Sequence, residues 1–182
     1  MNAVDLVQRL HYHRSWVNSN LLTAVSPLSN EQLRSPFQIG QGSIWKSLIH
    51  LHAAEYVWLE TLLGNDDPLL QGDLAGKLPG NQQGEGGIAD LEVLQQKWSD
   101  LDQQWVVYLQ SLTAESLADI VYKKSTSYGL GKRHGTHRGD ILLHVCTHAQ
   151  YTTAQVANML KQVGAEMLPE TMLISLARLE AT

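Results

Sequence analysis

The chain has 182 residues, 43% of them hydrophobic and 17% charged, with a net charge of −5 and one cysteine. That length suits a single domain (1–182) with a full core, and the composition sets the chain apart from disordered proteins. The acidic balance argues against a nucleic-acid partner, no run reaches the ~18 apolar residues of a membrane span, and the lone Cys146 points to a reducing cytoplasm.

Residues Ala3 to Ala24 repeat apolar side chains at helical spacing and stop near Ser26-Pro27. The start lacks the basic flank, continuous apolar core and cleavage site of a signal peptide. His11 and His13, two apart, face different directions and are expected at the surface or its boundary. A polar connection leads to Ser43, a good N-cap, and the helix that follows runs through Leu48, Leu51, Trp58 and Leu62 to a stop at Gly64. Within it His50 shares a strip with Ser47, Ala54 and Val57, whose small or apolar side chains allow another helix to come close. His52 points away from that strip, and its place is expected at the surface or in an outer-shell hydrogen bond.

From Gly64 to Gly87 the sequence turns to Gly, Asn, Asp and Pro, which predicts a long loop and, in its functional form, the rim of a cleft. Ile88 to Leu112 then gives a third helix with a Trp and Leu stripe of core character. Near 119–134 the β-branched and aromatic run Asp119–Tyr128, followed by Gly129-Leu130-Gly131, predicts a short β-like excursion. Thr136 is the expected N-cap of the last long helix, and a final short piece is expected from Glu170 to Leu179. Together these elements predict an all-α, up-and-down four-helix bundle.

The last long helix carries the chemistry. Between Asp140 and Lys161 it has no charged side chain, so both of its sides are expected to be covered by protein or by a cleft wall. His144, His148, Tyr151, Thr152 and Gln155 form one polar stripe. His144 and His148 are four apart, the spacing with which a helix offers two nitrogens to one metal ion, although two hydrogen-bonded histidines would give the same pattern. Cys146 falls on another side of the helix and reads as a small core residue.

Three segments carry a family resemblance. HYHRSWVNSNLLTAVSPLSNEQL, GSIWKSLIHLHAAEYVWLETLLG with His50, Glu55 and Trp58, and RGDILLHVCTHAQYTTAQVANMLKQVG occur in the order of the first, second and last long helices of the DinB/YfiT-like four-helix bundle proteins, which this chain resembles over almost its whole length. The resemblance implies a divalent metal, Zn²⁺ or Ni²⁺, held by three histidines. His50 and His148 carry over from the family pattern. Thr152 stands where the third histidine falls once the family's Arg-Gly-Gln is aligned with Thr153-Ala154-Gln155. Three arrangements follow: His144 as third ligand, a weaker site of His50 and His148 with water and Thr152, or no metal. The expected set is the first, His50, His144 and His148.

By the same resemblance the chain is expected to be a thiol S-transferase-like enzyme using a small cytoplasmic thiol. Tyr151, Thr152 or Gln155 would orient the ligand, and the 64–87 loop would border the pocket. Family members often pair, so a homodimer is expected. The alternative is a non-catalytic bundle with a degenerate metal site, serving small-ligand binding or protein–protein interaction.

Overall fold

Local capping chemistry sets the helix boundaries. The structure, a computed structural model, describes residues 1–126 and 129–181. Helix α1 (Ala3–Val25) opens on a capping box: the Asn2 side chain accepts from the Asp5 N–H and the Asp5 carboxylate accepts from the Asn2 N–H. A second box, Ser29 with Gln32, starts α2 (Asn30–Arg34), a short helix inside the segment expected as a polar connection. Helix α3 (Ile44–Leu62) begins at the expected cap, where Ser43 accepts from the Lys46 N–H. It ends at Gly64, whose φ of +105° lets the Asn65 N–H reach the Glu60 carbonyl at 3.0 Å. Helix α4 (Leu91–Gln110) starts later than the expected Ile88 because Asp90 caps it, accepting from the Val93 N–H.

The β-like excursion is an antiparallel hairpin, β1 (Ile120–Lys124) paired with β2 (Arg133–His137). Ser127 and Tyr128, which belong to the expected excursion, lie outside the described residues. Helix α5 (Arg138–Gln162) follows β2 directly. Thr136, the expected cap, is instead a strand residue paired with Val121, and His137 takes the cap position. The final helix, α6 (Leu173–Leu179), is shorter than expected at its start, where the Glu170 carboxylate accepts from the N–H groups of Thr171 and Met172.

Helices α1, α3, α4 and α5 form the all-α four-helix bundle expected from the sequence. One apolar cluster gathers the C-terminal halves of α1 and α5 with the N-terminal halves of α3 and α4, through Leu21, Leu48, Trp98 and Met159. A second gathers the opposite halves, through Val7, Leu59, Trp105 and Leu142. The helices therefore run up, down, down and up rather than in strict alternation. Helices α1 and α3 each pack against α4 and α5, so each of these pairs sits diagonally. Residues 63–90 make this order possible by returning the chain along the bundle between the parallel α3 and α4. Asp73 fastens that connection, its carboxylate accepting from the Gly80 N–H (2.6 Å), the Gln82 N–H (2.9 Å) and Gln82 Nε2 (2.8 Å).

Between the two apolar clusters lies a buried ionic centre. Arg14 of α1 pairs with Glu55 of α3 and donates to Asp102 of α4 at 3.2 Å, while Asn18 Nδ2 and Trp98 Nε1 donate to Glu55 at 2.8 and 3.1 Å. Burial pushes the Glu55 carboxyl above its ordinary value, and Arg14 pulls the other way.

Several surface expectations are corrected by packing. His11 is buried, its Nε2 against the Leu142 carbonyl (3.1 Å) and its ring beside Trp105, and His13 is buried against the Thr171 carbonyl (3.0 Å). His52 is buried edge-on against Trp98. Conversely, α5 is not covered on both sides: Leu143, Thr147, Tyr151 and Ala154 form an exposed line that is uncharged nonetheless. Among the described residues, no helix is long and apolar enough to cross a membrane.

Candidate metal centre

His50 reaches the interior of a cleft because the strip around it is small. Helix α5 packs against α3 beside Ser47 and Ala54, and the Cβ-free backbone of Gly80 touches α3 from the loop side. The Pro79 carbonyl lies 2.8 Å from His50 Nδ1. A carbonyl only accepts, so Nδ1 carries the proton and Nε2 keeps its lone pair. That nitrogen lies 3.3 Å from Nε2 of His148 on α5. His144, one turn earlier, stands edge-on to Trp58 with ring centroids 5.4 Å apart, and its ring centre is 5.8 Å from that of His148.

These residues line a cavity of about 370 Å³. The apolar side of its wall is Ala54, Val57, Trp58, Leu78 and Pro79, and the hairpin supplies Lys123, Ser125, Thr126, His134 and Thr136. Strand alternation explains the hairpin's contribution, since Val121 and Lys123 of β1 face the same way as their partners Thr136 and His134 of β2.

The charge state suits a ligand role. Burial, reinforced by His50 and His144, pushes His148 down to about 4, and burial also lowers His144. His148 is thus neutral at physiological pH, as an imidazole must be to bind a metal. Two nitrogens on one tetrahedral Zn²⁺, each about 2.0–2.1 Å from it, stand about 3.3–3.4 Å apart, so the His50–His148 separation fits such an ion without rearrangement. The fit covers two ligands. Among the described residues, no group of three His, Cys, Asp or Glu side chains is positioned to hold one ion, and His144 has to turn from Trp58 to complete a set.

The remaining residues named from the sequence lie apart from the cavity wall. Tyr151 is 68% exposed, and Thr152 is buried in the bundle. Gln155 lies against Gly40, where a Cβ would come within 2.4 Å of its Oε1. Cys146 is buried, and its thiol is pushed up to about 12, which keeps it protonated in agreement with a core role. No motif or spacing in the sequence singles out the hairpin residues or the Pro79 carbonyl. Strand periodicity puts Val121 and Lys123 on one face of β1, but no local signal says which face meets the bundle.

A sequence profile described as the DinB superfamily matches residues 11–156. The chain belongs to the DinB superfamily. Among DinB relatives, it is 24% identical over 167 residues to protein DinB of Bacillus subtilis (strain 168), covering 91% of this chain and 90% of that one. Its fold is similar to that of YfiT from Bacillus subtilis, with a TM-score of 0.61 at 18% identity, covering 87% of each chain. YfiT is described as a probable metal-dependent hydrolase with an unusual four-helix bundle topology. The up, down, down, up order found here, with its long return connection, departs from a simple alternating bundle.

Proposed function

We propose that this DinB-superfamily chain is a metal-dependent enzyme acting on a small molecule in the cavity between α3, α5 and the hairpin. A divalent ion, Zn²⁺ or Ni²⁺, is held by His50 and His148, and His144 is recruited as the third ligand. The observation that carries this reading is the 3.3 Å approach of two Nε2 atoms, one of them with its lone pair fixed by the Pro79 carbonyl. The description of YfiT supports it. Such an ion supplies Lewis acidity, lowering the pKa of a thiol or water so that it acts as a nucleophile at neutral pH. The rest is done by the chain: Pro79 orients His50, Trp58 and Val57 shield one wall from solvent, and the hairpin closes the other. The cavity volume lies within the range of small-molecule sites. Within this reading we assign transfer to or from a low-molecular-weight thiol as the reaction, with hydrolysis as the outcome if water takes the thiol's place.

Elemental analysis of the untagged protein tests the site. About one ion per chain is expected. His50→Ala and His148→Ala should lose it, weakening binding by more than the roughly 10–100-fold typical of disturbing a ligand's neighbour. His144→Ala should weaken it too if that ring turns inward. A wild type that takes up no added ion would leave two hydrogen-bonded imidazoles, and the non-catalytic bundle would become the better account.

Gly80→Ala probes the support of His50. At φ +83°, with a Cβ only 2.7 Å from His50 Cα and 2.9 Å from its N, the substitution pushes the loop off α3. The Pro79 carbonyl then leaves His50 Nδ1. Metal affinity in a competition titration should fall about 10–100-fold with helix content unchanged. Undiminished affinity would show that the loop does not orient the ligand.

A further inference from the structure

The hairpin carries more positive charge than its neighbours neutralise. Lys124 and Arg133 are directly opposite one another on its outer face, and each has a carboxylate from the connection between α3 and α4: Lys124 Nζ lies 2.8 Å from Asp67, and Arg133 Nε lies 2.9 Å from Asp66. Lys123 is on the other face by strand alternation, cross-strand from His134, and lines the cavity. Its ammonium sits 5.6 Å from the centre of the Trp58 ring and donates to the Lys124 carbonyl at 3.0 Å. Among the described residues, no carboxylate forms an ion pair with it. An ammonium has three donors, so at least one remains for a ligand.

We propose that Lys123 is the anion-binding residue of this cavity, and that the ligand is a small organic carboxylate whose apolar part rests on Trp58, Val57 and Leu78. The inference deepens the enzymatic reading by naming a substrate class, and it rests on that reading for the cavity's role. A carboxylate fits better than a phosphate because the wall offers one point charge with hydroxyls nearby. A phosphate site would be expected to offer a guanidinium fork or a nest of backbone N–H groups, and Arg133 is turned to the opposite face. Partial burial lowers the Lys123 ammonium from its ordinary value, the expected effect of a cation held away from water without a full counter-charge.

The test compares 3-phenylpropionate with the neutral 3-phenylpropionamide by calorimetric titration at pH 7.5, using the full chain with and without zinc. The wild type should prefer the carboxylate about tenfold or more, the worth of one hydrogen bond to a charged group. Lys123→Met should bring the ratio to about one, mainly by weakening the carboxylate, while the amide loses at most a neutral hydrogen bond, and Lys123→Arg should retain a preference. Equal binding of the two probes by wild type, or no detectable binding of either, would overturn the proposal. A preference that survives in Lys123→Met would overturn it as well, including one seen only with zinc, where the ion itself would be reading the carboxylate. Zinc uptake measured on the same samples separates the two readings. A Lys123-dependent preference in a chain that takes no zinc leaves this site standing and removes the metal, whereas zinc uptake without the preference does the reverse.

Discussion

Replacing Arg14 by methionine is expected to destabilise the protein by about 3–5 kcal/mol, the cost of leaving one member of a buried ion pair without the other. Glu55 is 1% exposed, and its hydrogen-bond partners Arg14, Asn18 and Trp98 are all donors. Without the guanidinium, its charge would remain between two apolar clusters with only two neutral hydrogen bonds. Arg14 also lies over the Trp105 ring at 5.1 Å and donates to Asp102, so these contacts go as well. The variant has one escape, which is to protonate Glu55. The loss should therefore be largest above the carboxylate's raised folded value and shrink as the pH falls from there toward its unfolded value. Adding Glu55→Gln removes the orphaned charge and keeps an oxygen for Asn18 or Trp98, so the double variant should regain most of the loss. Urea denaturation with an unchanged m-value measures both. A single-variant loss under about 1 kcal/mol, or no recovery in the double variant, would show that Arg14 is merely a packed side chain.

That ionic centre also marks the limit of what the sequence reveals. Leu94, Trp98, Leu101 and Trp105 recur at helical spacing and identify a helix, and Ser43 and Gly64 bound another because capping is a local interaction. The partners of Arg14 lie on other helices, at Glu55 and Asp102. A charged residue read along one helix takes the surface by default, and only the diagonal placement of α1 and α3 brings this pair inside. His11 and His52 hide for the same reason, since burial of an imidazole depends on what a distant helix brings to it, here Trp105 and Trp98. The exposed, uncharged line on α5 misleads in the opposite direction: the absence of Lys and Glu there does not mean cover.

The candidate centre divides along the same boundary. His50 and His148 are named by spacing and by resemblance, and the fold puts their Nε2 atoms 3.3 Å apart. Pro79, Lys123 and His134 reach the cavity through a return loop and a hairpin whose docking is wholly non-local. Counting along one helix places Thr152 on the ligand stripe. The counting is sound, but the stripe is wider than the cleft, and Thr152 turns into the core while Tyr151 turns outward.

Acidification should destabilise the protein steeply between pH 6.5 and 4, and the buried histidines outside the cavity set the sign. Burial, with the Arg14 charge nearby, pushes His11 down to about 3, and burial pushes His52 down to about 4, from an ordinary value of 6.5. Below pH 6.5 the unfolded chain takes up protons at these two positions while the native protein refuses them, so stability falls as the pH falls. Each histidine contributes at most about 1.4 kcal/mol per pH unit until its folded value is reached, and together they give a limiting slope of roughly 3 kcal/mol per unit. Glu55 has the opposite sign. Its folded value is raised, so in acid the native state takes that proton first, which opposes the loss. Unfolding free energies from urea titrations at pH 4 to 7.5 should show the downward slope. His11→Gln keeps a donor for the Leu142 carbonyl and removes the titration, and combined with His52→Gln it should take the contribution of these two rings out of the slope, leaving the smaller one of His148 and the other lowered histidines, even if stability at pH 7.5 drops. A wild-type curve already flat from 6.5 to 4 would mean that both rings take up protons in place, and that the burial seen beside Trp105 and Trp98 does not exclude a charge.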